Sequence, residues 1–334
     1  MENHQDCDKK YYLPEWVAQA PKVDVYNYVR AESDLQYKRY AAYGFGKFWH
    51  NREPYDVENQ VTVSGNRDTI YSIGVFDLSK SPLTVTLPDT QGRYMSLLVN
   101  SQNHDIYPAK YAPGTWTLTE EEIETRYIML TVRIFADPND PKDMAAAHKL
   151  QDMIKVEQED KGDLSGLPDW DKEKVIELRK AFNTLGSSLP DSSSFFGVKC
   201  DRSYLMDAMG VAVGWNGFQS RDALYLTLQV PKNDGKTAYV LNVPKDVPVG
   251  EFWSVTVYNK ERFMVPNEYN AYSFNNVTAK KNADGSVTIH FGGDPKSDNY
   301  LPIVDGWVYL VRFYKPQQEI LDGTWKFPDP VEVK

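Results

Sequence analysis

The sequence predicts a mainly β chain with α segments, arranged as two β-rich halves with a helical entry before them and helices between them. Three observations lead to this prediction. Apolar and polar residues alternate with period two in two separate blocks. Helix-like spacing occurs before the first block and between the two. The chain has 334 residues, 41% of them hydrophobic and 25% charged, which suffices for two globular domains.

The elements of the first half follow from local patterns. Aromatic and charged residues at helical spacing predict a helix over 24–40, which Gly44 and Gly46 interrupt. Period-two alternation then predicts strands over 83–87, 94–100 and 127–135, and the turn residues Pro113-Gly114 separate the last two. Short connections between them indicate a β-meander.

The second half begins after another helical stretch. Helices are predicted over 142–155 and 171–182, and the Ser-rich run 187–194 marks a boundary. A helix is then predicted over 203–219, and strands resume from Ala223. The strongest strands are 253–257, 286–291 and 307–313, with a turn at 282–285 leading into the second of these.

Composition excludes several classes of function. The net charge of −10, without a dense Lys/Arg cluster, argues against nucleic-acid binding. No GxGxxG or Walker-type loop is present, so no nucleotide cofactor is expected. Cys7 and Cys200 lie far apart in sequence and form no CxxC pair, which predicts no disulfide framework and favours a reducing compartment.

No membrane partner is expected either, because no apolar run approaches the length of a membrane span. The polar N-terminus lacks a secretion signal, which predicts a soluble, cytoplasmic protein, although a removed signal would leave no trace. Homo-oligomerisation stays open.

The densest polar run of the chain, Gly65-Asn66-Arg67-Asp68-Thr69-Ile70-Tyr71-Ser72, leads directly into Ile73, Val75 and Phe76. Core strands seldom open on Asn, Arg and Asp, because buried charges need partners. This segment is therefore predicted to be the mouth of a strand that lines a pocket. Arg67, Thr69 and Tyr71 would share one face of the strand, and Asp68, Ile70 and Ser72 the other.

Several motifs resemble two linked bacterial families of unknown function. The first half resembles the domain-of-unknown-function family numbered 1254, and the second resembles its usual companion, numbered 1214. The motifs of the first are Phe48-Trp49-His50, Asn66 to Ser72, Asp77-Leu78-Ser79, Pro88 to Tyr94 and His148 to Asp152. Those of the second are Phe252 to Tyr258, Asn282 to Ser286, Tyr300-Leu301-Pro302, Arg312 to Pro316 and Ile320 to Trp325.

The resemblance implies two β-sandwich-like (jelly-roll-like) domains. The predicted units are a helical segment over 1–60, a 1254-like β-domain over 61–186 with a helical insertion at about 141–183, and a 1214-like β-domain over 187–334. Many members have a simpler Asn-x-Asp-Thr motif, and this chain has Arg67 at the variable position and Asn103-His104-Asp105 after a following strand. These residues suggest a subgroup with its own chemistry.

Arg67 is the first candidate for binding substrate, because a guanidinium matches a carboxylate bidentately. The alternative is a turn in which Arg67 and Asp68 tie the domains together. Asn66 and Arg133 are further candidates for binding substrate, and the favoured alternative for Arg133 is a structural ion pair, with Asp137 nearby.

Three residues, Asp68, His104 and Tyr71, are the predicted catalytic residues. His104, Asp68 and His50 are the predicted metal ligands, because neutral imidazole and carboxylate suit both tasks. The alternatives are a solvated loop position for His104 and a structural role for His50. His148 is expected to fix its helix with Asp152, and His290 is expected on a polar strand face.

The leading functional hypothesis is a metal-dependent enzyme of the oxygenase or lyase type that acts on a small 2-oxo acid such as 2-oxoglutarate. Arg67 would anchor the carboxylate, and a divalent ion (Fe, Ni, Co or Zn) would bind the adjacent oxygen. One alternative is a non-enzymatic two-sandwich binding or interaction module. The other is a metal-free ester or lactone hydrolase, with Ser72, His104 and Asp68 as a triad that lacks a GxSxG elbow.

Overall fold

The computed structural model describes residues 22–60, 63–189 and 191–334. The predictions made for Cys7 and for the first 21 residues lie outside this range. Cys200 takes part in a disulfide bond, which contradicts the expectation that the chain has none. The predicted mainly β architecture with α segments is confirmed, and the β-strands form four sheets in two sandwiches.

The first sandwich packs a five-stranded antiparallel sheet on a three-stranded one. The larger sheet contains β1 (Trp49–Asn51), β2 (Thr69–Asp77), β7 (Tyr127–Phe135), β4 (Met95–Ser101) and β5 (Lys110–Tyr111), in that spatial order. The smaller contains β6 (Gly114–Leu118), β3 (Leu83–Leu87) and β8 (Lys155–Glu157). Apolar side chains of alternate positions, such as Ile70, Leu97, Leu130 and Val85, fill the space between the two sheets.

The second sandwich consists of two four-stranded sheets. One contains β12 (Ser273–Asn275), β11 (Trp253–Tyr258), β15 (Val308–Tyr314) and β9 (Ala223–Leu228). The other contains β14 (Tyr300–Leu301), β13 (Val287–Phe291), β10 (Tyr239–Val243) and β16 (Val331–Glu332), and its β13–β14 pair is parallel. The predicted turn before β13 forms, and Gly285 supplies its positive φ of 87°.

A layer of helices covers the outer face of the five-stranded sheet. This layer contains α1 (Tyr28–Ala41), α4 (Lys172–Gly186) and α5 (Tyr204–Gly214). The other helices of the described residues are α2 (Glu120–Ile123), α3 (Pro141–Asp152) and α6 (Gln318–Leu321). One core cluster joins this layer to Tyr94 and Leu98 of the first sandwich and to Phe252 and Tyr314 of the second. Both sandwiches and the helices therefore share packed surface.

Two element boundaries differ from those predicted. The segment 1–60, predicted as helical, also contains β1, which pairs with β2. The helix predicted over 203–219 ends at Gly214, because Trp215 is extended and Asn216 adopts a positive φ of 66°. This early end turns the chain back across the sheet and places residue 216 at the site described next.

Candidate functional site

A row of polar side chains crosses the outer face of the five-stranded sheet. Tyr71 on β2 and Ser96 on β4 both lie opposite Arg133 on the central strand β7. Residues opposite each other in neighbouring antiparallel strands project from the same face of the sheet. The predicted alternation along β2 and β7 is thus confirmed, and Arg133 projects toward the helices and the second sandwich rather than into the first core.

Arg133 is buried, with 8% of the residue exposed. Its Nη2 donates to the Asn216 carbonyl (3.0 Å), and its Nη1 lies 3.4 Å from the Tyr225 hydroxyl. Its guanidinium carbon stands 4.0 Å from the ring centre of Phe218. Its Nε has no hydrogen-bond partner, and none of the ion pairs among the described residues includes it. Arg133 is therefore a buried cation without a carboxylate, and the predicted ion pair with Asp137 is wrong.

The electrostatic surroundings keep Arg133 charged. Burial by itself lowers the pKa of the guanidinium, but the phenol oxygens of Tyr225, Tyr71, Tyr314 and Tyr94 raise it above its usual range. Burial also raises the pKa of the Tyr314 and Tyr94 phenols. These phenols consequently keep their protons and act as hydrogen-bond donors at neutral pH.

Asn66 organises the hydroxyls around this cation. Its Nδ2 donates to the hydroxyls of Tyr71 (3.2 Å) and Tyr314 (2.9 Å) and to Thr69 Oγ1 (3.2 Å). The hydroxyl oxygens of Tyr71 and Tyr314 accept from Asn66 Nδ2, so their own O–H hydrogens are directed away from this amide. The Tyr225 hydroxyl oxygen accepts from Arg133 Nη1 in the same way. None of these three hydroxyl hydrogens has an acceptor among the described residues.

We call the cluster of side chains formed by Arg133, Asn66, Tyr71, Tyr225 and Tyr314 the Arg133 chamber. It offers four hydrogen-bond donors without acceptors, namely Arg133 Nε–H and the three tyrosine O–H groups, and one unpaired positive charge. Tyr71, Tyr225 and Asn66 are half-buried, whereas the Arg133 Nε atom is fully buried behind them. A donor-rich, cationic chamber suits a ligand that carries acceptor oxygens and a negative charge.

His104 is fully buried and lies outside this chamber. Its Nε2 accepts from the Asn216 N–H (3.1 Å), and its Nδ1 therefore donates to Asp207 Oδ1 (2.8 Å). With both ring nitrogens committed, His104 has no lone pair for a metal or for a substrate proton. The predicted solvated loop position is wrong as well, since the ring is enclosed by Phe196 and Trp215.

His104 nevertheless connects to Arg133 through one residue. The Asn216 carbonyl accepts a hydrogen bond from Arg133 Nη2, and its backbone N–H donates to His104 Nε2. The side-chain Nδ2 of Asn216 donates to Thr131 Oγ1 (2.9 Å). Its left-handed backbone conformation turns these groups in different directions. Through Asn216 and Asp207, His104 holds the end of α5 against the sheet and positions the carbonyl that orients Arg133.

Asp68 lies at the opposite end of the sheet from His104. The Asp68 carbonyl accepts from Ala136 just beyond the end of β7, whereas Ser101, three residues before His104, pairs with Ile128 near the start of β7. At about 3.3 Å per strand residue, the eight residues between these positions span about 26 Å. The two predicted metal ligands therefore do not meet, and the same separation rules out the triad of Ser72, His104 and Asp68.

His50 lies on β1, opposite Ser72 of β2. Its Nδ1 is 2.8 Å from Ser72 Oγ, and Ser72 Oγ also accepts from Gln151 Nε2 (3.2 Å). Ser72 is fully buried, so this Ser–His pair is closed to substrate. Within 22–60, 63–189 and 191–334, no group of three or more His, Cys, Asp or Glu side chains is placed to hold a metal. The site predicted from His104, Asp68 and His50 is thus not formed.

Arg67 does not face the chamber. Its Nη1 donates to the Tyr55 carbonyl (2.8 Å), and its guanidinium carbon lies 5.1 Å from the centre of the Tyr272 ring. With Asp68 and Asp137 it lines a cleft of about 20 Å³, which has room for about one water molecule. A cavity of this volume is too small for an organic acid beside Arg67.

Sequence reasoning singled out Asn66, Tyr71 and Arg133 of the chamber but missed Tyr225, Tyr314 and Asn216. Tyr314 lies within the motif Arg312 to Pro316, which identifies the family but does not by itself indicate a site. Tyr225 and Asn216 carried no signal, because a strand tyrosine and a residue after a helix are ordinary features. Two minor predictions remain. His148 donates from Nε2 to the Arg52 carbonyl (2.7 Å), and Asp152 accepts from Arg52 instead of pairing with His148. His290 lies on the more exposed face of β13, as expected.

Comparisons with known proteins agree on the fold. The chain is similar to the crystal structure of the VPA0106 protein from Vibrio parahaemolyticus, with 20% identity, a TM-score of 0.68, and coverage of 93% of this chain and 98% of that one. It is also similar to a putative uncharacterized protein from Burkholderia cenocepacia, with 14% identity, a TM-score of 0.50, and coverage of 95% and 91%. These likenesses concern the fold alone.

Sequence comparisons divide the chain as the motifs predicted. No curated protein matches it. No helix of the described ranges combines the length and apolar character needed to cross a bilayer. Residues 45–158 match the model "Protein of unknown function (DUF1254)", and residues 223–318 match "Protein of unknown function (DUF1214)". The first half of the chain therefore matches the DUF1254 model and the second half matches the DUF1214 model, in the order that the motifs predict.

Proposed function

We propose that the chain binds a small 2-oxo acid in the Arg133 chamber, with the ligand's carboxylate on Arg133. The observation that carries this proposal is a buried guanidinium without a carboxylate, surrounded by hydroxyl donors without acceptors. The predicted small-acid ligand is thereby kept, and its anchor moves from Arg67 to Arg133.

Energetics support a ligand at Arg133. Burying a charge without a counter-charge costs several kcal/mol, and folded chains rarely carry that cost without a use for the charge. A carboxylate placed on Arg133 Nε would accept a charge-assisted hydrogen bond and offset much of it. The buried Arg312 differs, because its Nη atoms donate to Thr256 Oγ1, Tyr258 OH and two carbonyls at 2.7 to 3.1 Å.

The absence of free acceptors around the chamber favours a 2-oxo acid over its relatives. A 2-oxo acid presents only acceptors, namely two carboxylate oxygens and the adjacent carbonyl. A 2-hydroxy acid brings an O–H hydrogen, and a 2-amino acid brings an ammonium group that Arg133 repels. The three tyrosine O–H groups would bond the keto oxygen and the second carboxylate oxygen.

Such donors on a keto oxygen polarise the carbonyl and would stabilise negative charge that develops there. Tyr71 is the predicted catalytic residue that borders the chamber, so it is our candidate for this donor. Turnover of the acid, of the oxygenase or lyase type, stays a prediction, and so does the participation of a divalent metal. His104, Asp68 and His50 would not supply that metal's ligands together.

Isothermal titration calorimetry with two matched sets of three compounds tests the proposal. The sets are pyruvate, lactate and alanine, and 2-oxoglutarate, 2-hydroxyglutarate and glutamate, each titrated into the full chain with and without EDTA. We expect at least one 2-oxo acid to bind with 1:1 stoichiometry and more tightly than its hydroxy and amino analogues. Equal heats for all members, or binding that survives Arg133→Met, would overturn it.

Comparing the affinities of 2-oxoglutarate, which has five carbons, and pyruvate, which has three, narrows the class of acid further. Preference for 2-oxoglutarate would require a second cation, whereas pyruvate needs Arg133 alone. Binding that disappears in EDTA and returns with a divalent ion would restore the predicted metal dependence. Tyr71→Phe is the matched variant for the donor role, because it removes one hydroxyl and keeps the ring beside Arg133.

A further inference from the structure

A buried carboxylate oxygen without a hydrogen-bond partner lies at the cleft between the sandwiches, and the buried Arg312 guanidinium interacts electrostatically with the same carboxylate. The Asp68 residue is 2% exposed, and its Oδ1 accepts from Ser273 Oγ (3.3 Å) and Asn275 Nδ2 (3.2 Å). Its Oδ2 has no hydrogen-bond partner among the described residues. A buried carboxylate oxygen without a partner is costly, so it calls for a ligand that the side chains do not provide.

The cleft beside Asp68 holds one small body. Asp68, Asp137 and Asn139 line it from the first sandwich, and Asn270, Ser273 and Asn275 line it from the second. Its cavity volume of about 20 Å³ accommodates about one water molecule or one dehydrated ion. The occupant would therefore contact both sandwiches at once.

Three oxygen atoms on this cleft are uncommitted. One is Asp68 Oδ2. The second is the Asp137 oxygen that does not accept from the Asn139 N–H (2.9 Å). The third is Asn270 Oδ1, whose companion Nδ2 donates to Asn139 Oδ1 (3.0 Å). Oxygen donors of this kind, from carboxylates and amides, are those that hard cations prefer.

Arg67 also lines the cleft, but its guanidinium is directed toward the Tyr55 carbonyl and the Tyr272 ring. It forms no ion pair with Asp68 or Asp137 among the described residues. The net formal charge of the lining is therefore −1, from two carboxylates and one guanidinium.

We infer that this cleft binds a single Ca²⁺ ion through Asp68, Asp137 and Asn270, which would tie the two sandwiches together. Ca²⁺ fits better than Mg²⁺, because it tolerates an irregular set of protein oxygens, whereas Mg²⁺ demands a near-ideal octahedron and keeps its waters. With two carboxylates and a nearby guanidinium, we expect weak affinity, with Kd of about 10⁻⁴ to 10⁻³ M. This inference is independent of the acid proposed for Arg133.

The test titrates CaCl₂ and MgCl₂ into the full metal-stripped chain and follows heat and melting temperature. Asp68→Asn and Asp137→Asn are the variants, and Asp246→Asn, an exposed carboxylate far in sequence from the cleft, is the matched control. We expect one Ca²⁺ per chain, a rise in melting temperature, and a loss of affinity of at least about tenfold in both variants but not in the control. Arg67→Met should tighten binding, since it removes the opposing charge.

Tb³⁺ luminescence excited through tyrosine adds a local readout, because Tyr272 lines the cleft. The inference is overturned if no 1:1 Ca²⁺ binding occurs up to about 10 mM, well above the expected Kd range. It is also overturned if binding survives both variants, in which case a water molecule alone occupies the cleft. Asp137 is partly exposed, so Asp137→Asn should fold even if Asp68→Asn does not.

The two proposals fail separately. Arg133→Met should lose the 2-oxo acid and keep Ca²⁺, and Asp137→Asn should do the reverse. Loss of both ligands in either variant, with an unchanged melting temperature of the ligand-free protein, would overturn the assignment of two distinct sites.

Discussion

Arg133→Met provides the sharpest test of the Arg133 chamber. Methionine keeps most of the side-chain volume and a favourable contact with the Phe218 ring, and it removes the buried charge. It also removes the bond to the Asn216 carbonyl (3.0 Å) and the long contact with Tyr225 (3.4 Å). The prediction therefore depends on the balance between a lost hydrogen bond and a relieved charge.

The magnitudes can be estimated from these contacts. Leaving the Asn216 carbonyl without a partner costs about 1–3 kcal/mol. Replacing buried ionic groups by apolar ones of similar volume is often neutral or stabilising by about 1–4 kcal/mol. We expect the free energy of unfolding of the ligand-free variant to equal or exceed that of the wild type by up to about 2 kcal/mol. Affinity for the 2-oxo acid should fall by about 2–5 kcal/mol, which is at least about 30-fold.

Arg312→Met is the matched comparison. Arg312 is equally buried, but its four acceptors include the Ser64 and Gly65 carbonyls of the segment that precedes β2. Removing it should lower the free energy of unfolding by about 3–5 kcal/mol, because several buried acceptors lose their donor at once. The assay is urea-induced unfolding of both variants, followed by tryptophan fluorescence, together with calorimetric titration of the acid.

One pair of results would refute the assignment of Arg133 as a ligand-binding residue. If Arg133→Met loses as much stability as Arg312→Met and the wild type binds no small acid, then Arg133 is a structural residue. An intermediate loss of stability with complete loss of acid binding would still support the ligand, because a cavity or an unpaired carbonyl can add to the cost of the substitution.

Two further predictions concern the histidines. His104→Leu should lower the free energy of unfolding by about 2–4 kcal/mol without changing the metal content of the purified protein, since the Asn216 N–H and Asp207 lose a partner; a drop in bound metal would contradict the structural role. Burial lowers the pKa of His50, whose Nδ1 lies 2.8 Å from Ser72 Oγ, so the unfolded chain binds more protons than the folded one as pH falls below about 6.5. The wild type should therefore lose stability relative to His50→Gln as the pH falls below about 6.5, and equal pH profiles in urea unfolding would disprove this.

Local patterns predicted most of the strands. The segments 83–87 and 127–135 coincide with β3 and β7, because alternation and turn residues act over a few neighbours. The end of α5 was missed by five residues, since apolar residues continue past Gly214 and only the left-handed Asn216 stops the helix. The strand β1 was missed because three residues carry too little periodicity.

The candidate site was predicted in part. Asn66 and Tyr71 were chosen from their place at a strand mouth, and both border the Arg133 chamber. Arg67 and Arg133 are both predicted to bind substrate, and the structure places them in different surroundings, because a sequence shows which face of a strand a residue occupies and not what covers that face. Asp68 and His104 were paired because both belong to prominent polar motifs, and the length of the sheet separates them.

The sequence by itself determined the two β-rich halves, the family membership and the alternation that places Tyr71 and Arg133 on one face. Those properties depend on neighbouring residues and on motifs in a fixed order. Only the tertiary structure decided that Arg133 is buried without a carboxylate and that Asp68 meets Asn270 across a cleft. Burial and charge pairing are set by elements distant in sequence, such as the α5 terminus and β15, so no local pattern contains them.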